Sequence, residues 1–273
     1  MRYEHGEIRS KDKRDVERKN NTVKNLVPQV IAATPQELAP LMELLAKEGY
    51  SRADINMGCS FALQVRKKHG AGILPHPDMV AALLDAAAGY KDFEFSVKMR
   101  LGWESKNEWR ELLPILNAAP LKHVTMHPRL GIEQYRKPAD FDAFAEFFEA
   151  CRHPVIYNGD ILSLADIQRI EHSFPSLEGV MIGRGLLANP ALGIEYRNGG
   201  ELSCEEKRNL VLAMHGEMLR ELAPRLQGNT QFLTKMKPYW EYLLPDMCKR
   251  DKKAILKATT IDKYLSAVGN ALA

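Results

Sequence analysis

The sequence lacks any long apolar run. None of its 273 residues lies in a stretch approaching the roughly 18 apolar residues that cross a bilayer. The first six residues also lack the apolar core of a signal peptide. These absences argue against a membrane partner and predict a cytoplasmic protein.

Cysteine is scarce, with four residues at positions 59, 151, 204 and 248, and no two of them form a CxxC pair. Structural zinc sites usually need such pairs, so we expect no metal. A disulfide framework is not expected in a chain of this size without a secretion signal. We therefore predict four free thiols.

A strong charge of one sign is also absent, since the formal net charge is +3. The two ends are more basic than the middle: residues 203–273 carry twelve basic against eight acidic side chains, and residues 1–25 carry eight against five. This distribution is compatible with phosphate-backbone contacts by the ends. It is equally compatible with an ordinary solvated surface.

What the chain does have is a strand–helix rhythm between residues 26 and 192. Short apolar runs of the length typical of buried parallel strands alternate with amphipathic helical patterns. The runs are residues 27–32, 54–57, 95–100, 123–127, 154–158 and 179–183. Six such repeats predict an α/β fold with a parallel sheet, either doubly wound or closed as a barrel.

Polar or glycine-rich residues follow five of these runs, and this favours the barrel. They occupy residues 56–59, 98–102, 127–129, 158–160 and 183–185. In a βα barrel the carboxyl ends of the strands form one ring around the active site, whereas an open sheet uses only its switch point. We predict a TIM (βα)8-type barrel that is incomplete at the amino terminus, because only six strands are found.

The rhythm stops after Gly200, and residues 203–273 have the pattern of helices interrupted by prolines. We therefore predict a barrel domain over residues 1–200, with residues 1–25 as a partial element. A helical domain would follow over residues 201–273.

Arg184 lies between two glycines, Gly183 and Gly185, after the last predicted strand. Glycines between a strand and a helix let backbone N–H groups approach a phosphate. Asn158, Gly159 and Asp160, after the preceding strand, strengthen this interpretation. The alternative is a tight turn that needs glycine for its backbone angles.

Lys98 ends another predicted strand, and a buried lysine is costly unless it has a partner. The anionic N1–C2=O edge of a flavin would be a suitable one, and a surface lysine is the alternative. His127 and Arg129 form a His-x-Arg pair at the same rim, which favours ligand contact over a purely structural histidine.

Cys59 follows Gly58, and a free thiol is mostly protonated at neutral pH, so it can act as a general acid. The alternative is an ordinary core cysteine.

These motifs together resemble the tRNA-dihydrouridine synthase family of the bacterial type. The resemblance covers residues 27–192, with six motifs in order. They are residues 54–59 (DINMGC), 70–72 (GAG), 97–103 (VKMRLGW), 127–129 (HPR), 154–161 (PVIYNGDI) and 179–185 (GVMIGRG). The helical remainder is similar, more loosely, to the tRNA-binding domain of that family.

The resemblance implies an FMN enzyme that uses NADPH to reduce uridine in tRNA, with hydride from reduced FMN and a proton from Cys59. No obligate protein partner is inferred. The implied flavin contacts are Gln29, Lys98, His127, Asn158, Gly159, Asp160, Gly183 and Arg184. The implied tRNA contacts are Asn56, which would orient the base, Arg129, Lys249, Arg250, Lys252 and Lys253.

Two departures from the family pattern stand out. Ser60 replaces the proline that usually follows the cysteine, which predicts a looser loop. The chain also lacks the Pro-Met strand with which family members begin, which predicts a missing front end. Two alternatives remain: a non-catalytic tRNA-binding remnant, and another FMN barrel reductase acting on a small molecule. The helical tail argues against the second of these.

Overall fold

The computed structural model describes residues 1–4, 6–21 and 23–272. The chain divides into two compact units. The first comprises Met1–Gly159 and Phe174–Met181, and the second comprises Asp160–Ser173 and Ile182–Ala273. The second unit thus includes segments before residue 200 that the sequence assigns to the barrel domain. The domain bounds near residue 200 stay a prediction.

The first unit combines short strands with helices. Its strands are β1 (Tyr3–Glu4), β2 (Glu7–Ile8), β3 (Gln29–Val30), β4 (Arg52–Met57), β5 (Glu94–Gly102), β6 (Leu121–Leu130), β7 (Val155–Tyr157) and β8 (Gly179–Val180). Its helices are α1 (Ser10–Val16), α2 (Pro35–Lys47), α3 (Ala62–Val65), α4 (Pro77–Ala88), α5 (Glu108–Ala118) and α6 (Phe141–Ala150), with 3-10 turns at Arg18–Asn20 and Gly70–Ile73.

Strands β3 to β8 form one parallel sheet in chain order. All six predicted strands are confirmed. Unbroken chain order is the arrangement of neighbouring strands in a βα barrel, whereas a doubly wound sheet reverses its order at a switch point. The predicted α/β, barrel-type class is therefore confirmed. In the described part of the chain, no pairing joins β8 to β3.

The amino-terminal segment runs beside the β3 edge of this sheet. Ile31 donates its backbone N–H to the carbonyl oxygen of Met1 at 2.9 Å. Arg2 and Ile31 form an isolated parallel bridge. The first residues therefore add a short extension next to β3.

Helix α2 shows how local sequence sets these elements. Thr34 caps its amino end, where Oγ1 accepts from the backbone N–H of Glu37 at 3.3 Å. The Glu37 carboxylate in turn accepts from the backbone N–H of Ala33 at 2.7 Å. These bonds satisfy amide groups that a helix leaves unpaired at its start. The predicted apolar face of this helix is buried and consists of Leu38, Leu41, Met42 and Leu45.

The sheet has two chemically different faces, because successive side chains of a strand point to opposite sides. One face is apolar and almost fully buried, and helices α5 and α6 contact strands β5 and β6. The apolar face comprises Ala53, Ile55, Val97, Met99, Val124 and Met126. The alternate positions form a polar face.

The regular secondary structure of the described residues in the second unit is entirely helical. The helices are α7 (Leu164–Ser173), α8 (Arg184–Ala188), α9 (Leu192–Asn198), α10 (Cys204–Leu222), α11 (Gly228–Met236), α12 (Tyr239–Tyr242), α13 (Lys249–Lys257) and α14 (Ile261–Leu272), with a 3-10 turn at Ala223–Arg225. The predicted helical character of residues 203–273 is confirmed. Nowhere in residues 1–4, 6–21 and 23–272 is there a helix long and apolar enough to cross a membrane.

A buried hydrogen-bonded triad lies in the core of this helical unit. The hydroxyl of Tyr264 accepts from Trp240 Nε1 at 2.8 Å and lies 2.9 Å from His215 Nε2. Burial raises the pKa of Tyr264 to about 12 and lowers the pKa of His215. At neutral pH the phenol is therefore protonated and the imidazole is neutral.

Candidate active site

The polar face of the sheet holds side chains from four neighbouring strands in register. Residues that pair across parallel strands lie on the same face, so they form successive rungs. The first rung is Gln29, Asp54 and Ser96; the second is Asn56, Lys98 and Thr125; the third contains Arg100 and His127. These eight residues are called the polar face below.

Asp54 is the buried acid of the first rung, with 7% of its surface exposed. Its Oδ2 accepts from Gln29 Nε2 and its Oδ1 accepts from Ser96 Oγ, both at 2.7 Å. Burial raises the pKa of Asp54. The Gln29 amide continues the network, because its Oε1 accepts from Asn56 Nδ2 at 2.6 Å.

The loop that carries Cys59 begins directly after β4 and is held by hydrogen bonds from three directions. Asn56 Oδ1 accepts from the backbone N–H groups of Gly58 and Cys59 at 3.0 and 2.9 Å. Arg100 Nε donates to the carbonyl oxygen of Gly58 at 3.0 Å. Ala71 donates its backbone N–H to the carbonyl oxygen of Cys59 at 2.8 Å. Every backbone polar group of these two loop residues is therefore bonded.

This bonding bears on the serine at position 60. The sequence predicts a looser loop, because a proline would restrict the backbone angles there. In the structure the backbone at Gly58 and Cys59 is fixed by side chains of β4 and β5 and by residue 71. None of these bonds depends on the residue at position 60.

Arg100 links the Cys59 loop to the loop after β6. It is 2% exposed, and its Nη1 donates to the carbonyl oxygens of Leu130 and Gln134 at 2.8 and 2.9 Å. The sequence places Arg100 at the rim but assigns it no role. Its buried guanidinium ties two loops of the candidate site together.

Lys98 and Thr125 are neighbours on the second rung, and neither side chain has a hydrogen-bond partner among the described residues. Within the residues that the structure describes, the ammonium of half-buried Lys98 forms no hydrogen bond or ion pair, and burial lowers the pKa of Lys98. Thr125 is fully buried, and its Oγ1 is a buried polar atom without a partner among the same residues. Buried polar atoms are almost always bonded, so Thr125 Oγ1, with the Lys98 ammonium on the neighbouring strand, points to a ligand. The N1–C2=O edge of FMN, which accepts hydrogen bonds, fits these two donors.

His127 and Arg129 contact each other on β6. Both are buried, at 4% and 3% exposure. Arg129 Nη1 lies 2.8 Å from His127 Nε2, and its Nε donates to the carbonyl oxygen of Lys137 at 2.5 Å. Arginine can only donate, so Nε2 accepts and a neutral imidazole carries its proton at Nδ1. The predicted substrate contact of Arg129 stays a prediction, and its observed contacts orient the imidazole.

The predicted phosphate contacts lie in both units and are described separately. In the first unit, Asn158 Nδ2 donates to the carbonyl oxygen of Met181 at 2.8 Å. A side chain on Gly159 would come within 2.9 Å of Ala139 Cβ, so close packing explains the glycine. Their phosphate role stays a prediction.

In the second unit, Arg184 Nη2 donates to Asp160 Oδ1 at 3.2 Å. Gly185 is required by packing, because a Cβ there would come within 2.2 Å of the carbonyl oxygen of Ile161. Gly183, just before α8, has open space beside it, so packing does not explain that glycine. The phosphate role of these residues also stays a prediction.

The predicted tRNA-contact cluster lies on helix α13. Lys249, Arg250 and Lys253 are exposed and Lys252 is half-buried, while Ile255 anchors the helix in the core. The helix therefore presents cationic side chains to solvent. Exposure permits phosphate contact without demonstrating it.

The sequence pattern of the dihydrouridine synthase (Dus) family matches residues 5–261. The chain belongs to this family. The six ordered motifs that suggest the resemblance all fall within the matched region. The predicted family is thereby confirmed.

Curated members of the Dus family resemble the chain over part of their length. A probable tRNA-dihydrouridine synthase of Rhodobacter capsulatus is 33% identical over 169 residues, which are 60% of this chain and 52% of the relative. The tRNA-dihydrouridine synthase B of Pasteurella multocida is 30% identical over 165 residues, 60% of this chain and 49% of the relative. The tRNA-dihydrouridine(16) synthase of Aquipseudomonas alcaligenes is 29% identical over 205 residues, 72% and 65% of the two chains. The chain thus spans about half to two thirds of these Dus relatives.

Gly70 gives a direct test of the packing around Cys59. It has a φ of +57°, and a Cβ would lie 2.6 Å from the carbonyl oxygen of Cys59. Gly49 has a φ of +74° with no atom within 4 Å of such a Cβ. Both Gly→Ala changes should cost about 1–2 kcal/mol for the left-handed backbone, and Gly70→Ala should cost more because it also displaces Cys59.

The measurement is the free energy of unfolding in urea, together with the rate of Cys59 alkylation by iodoacetamide. Gly70→Ala should change both, and Gly49→Ala should change only the first. Equal effects of the two variants on both measurements would contradict the described packing.

Proposed function

We propose that this chain is a flavin-dependent tRNA-dihydrouridine synthase, which reduces the C5–C6 double bond of uridine in tRNA with NADPH as the source of electrons. The observation that carries the proposal is a pair of groups, Lys98 and Thr125, that have no hydrogen-bond partner among the described residues. They lie beside the fixed loop of Cys59 in a member of the Dus family. Cofactor site and proton donor would then lie on one face of the sheet. The names of the curated relatives agree with this substrate.

The chemistry divides between the cofactor and the protein. Reduced FMN, when bound beside Lys98 and Thr125, would supply the hydride for C6 of the uracil ring. The Cys59 thiol donates a proton to C5 and is left as a thiolate, which regains a proton from solvent. The uracil thus gains a hydride and a proton, as dihydrouridine formation requires.

Asn56 is proposed to orient the base, and its hydrogen bonds restrict how it can do so. Its oxygen already accepts two backbone N–H groups, and one hydrogen of its Nδ2 is donated to Gln29. The second Nδ2 hydrogen can donate to a uracil carbonyl. Negative charge develops on such a carbonyl during hydride addition, so a fixed donor there stabilises the transition state.

The uracil must leave its stack to reach this face. Extrusion of a base costs a few kcal/mol in a duplex and less from an unpaired loop. The flexible loops of tRNA are therefore suitable substrates. The cytoplasm, where tRNA is modified, stays the predicted location.

The first experiment compares Cys59→Ala with Cys151→Ala, because both thiols are half-buried. Removing a general acid typically lowers the rate by about 10²–10⁴-fold. Cys59→Ala should show this loss while FMN remains bound and reducible by NADPH, and Cys151→Ala should match the original chain. Dihydrouridine in an unmodified tRNA transcript is measured by mass spectrometry of nucleosides.

Dihydrouridine formation by Cys59→Ala at the original rate would refute the assignment of the proton donor. A chain that binds tRNA and FMN but never forms dihydrouridine would refute the proposed function. That result would favour the non-catalytic tRNA-binding alternative.

The second experiment tests helix α13 by changing Lys249, Arg250, Lys252 and Lys253 to alanine together. If these side chains contact phosphates, tRNA affinity should fall, and the slope of log K against log salt should become shallower by about 0.7–0.9 per lost contact. A matched control changes four exposed cations of the first unit, Lys47, Lys91, Lys122 and Arg152. Equal salt slopes for both quadruple variants would count against the role of α13.

A further inference from the structure

We propose that Asp54 is a positioning residue for Cys59 and that it acts through Gln29 and Asn56. The inference rests on the proposed role of Cys59 as proton donor. A chain of side-chain hydrogen bonds runs from the Asp54 carboxylate to the backbone of the Cys59 loop. Gln29 Nε2 donates to Asp54 Oδ2 at 2.7 Å, Asn56 Nδ2 donates to Gln29 Oε1 at 2.6 Å, and Asn56 Oδ1 accepts from Gly58 and Cys59.

The chemistry of the two ends fixes the direction of this chain. Backbone N–H groups can only donate, so Asn56 must turn its oxygen towards the loop and its Nδ2 towards Gln29. Gln29 must then present Oε1 to Asn56 and Nε2 to Asp54. The Asp54 carboxylate accepts the hydrogen that Gln29 Nε2 donates. Flipping one amide alone would place two donors or two acceptors face to face.

Asp54 ends the chain inside the protein. It is 7% exposed, and Ser96 Oγ holds its second oxygen at 2.7 Å. Lys98 acts on it with its positive charge, whereas burial lowers the pKa of the nearby His123. Asp54 has no hydrogen bond to Cys59, so its effect on the thiol passes through the two amides.

Removing the carboxylate should release the amides in sequence. Gln29 Nε2 would lose its acceptor and could rotate, and Asn56 Nδ2 would then lose its fixed partner. Asn56 would hold the amides of Gly58 and Cys59 less firmly, and the thiol would move relative to C5. Proton transfer requires the donor within hydrogen-bond reach of the accepting atom, and a displacement of about 1 Å can cost 10²-fold in rate.

The decisive measurement is hydrogen exchange at the Gly58 and Cys59 amides of the whole chain, because it does not depend on activity. Asp54→Leu should speed exchange at both amides by at least about tenfold, since their acceptor is no longer held. Asp54→Asn should restore slow exchange, because its side-chain oxygen can still accept from Gln29. Ser96→Ala, which leaves the amide chain intact, should exchange as the original protein does.

Turnover gives the second readout. Asp54→Leu should lower kcat by about tenfold, equivalent to about 1.4 kcal/mol, and Asp54→Asn should recover it. If Asp54→Leu does not fold, Gln29→Met breaks the next link with a side chain of similar size and carries the same predictions. Unchanged exchange at both amides in a folded variant would overturn the role of Asp54. If the proposed function itself is wrong, the original chain will form no dihydrouridine. This outcome differs from a failure of the Asp54 role, in which the original chain is active and the variants exchange normally.

Discussion

The alternation of side chains along parallel strands is the constraint on which the candidate site depends. Because every second residue of β4, β5 and β6 points away from the helices, the polar residues of these strands converge on one face. Burial there is costly unless each polar group is bonded. Most of the polar face meets this requirement internally, through the amides of Gln29 and Asn56 and the guanidinium of Arg100. Among the described residues, Lys98 and Thr125 lack such bonds, and the two are neighbours in register.

Two kinds of buried polar group can therefore be distinguished on this face. Asp54, Gln29, Asn56 and Arg100 bond to protein atoms and fix the backbone around Cys59. Under the proposed function, the second kind, Lys98 and Thr125, binds the cofactor. A site built in this way is organised before the ligand arrives, so little reorganisation accompanies the reaction. The bonding of the Cys59 loop and the adjacency of Lys98 and Thr125 are consequences of the same register.

Much of the fold follows from the sequence, because short apolar runs and amphipathic segments have distinct periods. All six strands of the parallel sheet were predictable in this way, as was the helical character of residues 203–273. The position of Cys59 directly after β4 also follows from where its run ends, whereas Lys98 and His127 lie inside β5 and β6 rather than at their ends. The division of the chain into two compact units does not follow from the sequence, because it depends on which segments contact one another in three dimensions.

The hydrogen-bond network of the site was harder to predict. Asp54, Ser96 and Thr125 lie inside runs that read as apolar strands, and only the alternation with Asn56, Lys98 and His127 signals a second, polar face. The contacts that fix the Cys59 loop join residues 29, 56, 71 and 100, whose separation along the chain hides them. The predicted loosening of the loop by Ser60 rests on the local backbone alone and stays a prediction.

The most direct test of the central claim is a titration of the purified chain with FMN, followed by visible absorption, beside a Lys98→Met variant. The account predicts flavin bands that saturate at one FMN per chain, with affinity at least about tenfold weaker in the variant, because a charged hydrogen bond is lost. Lys91→Met, at an exposed position, should bind as the original chain does. Failure of the chain to take up FMN, or equal affinity in Lys98→Met, would contradict the account.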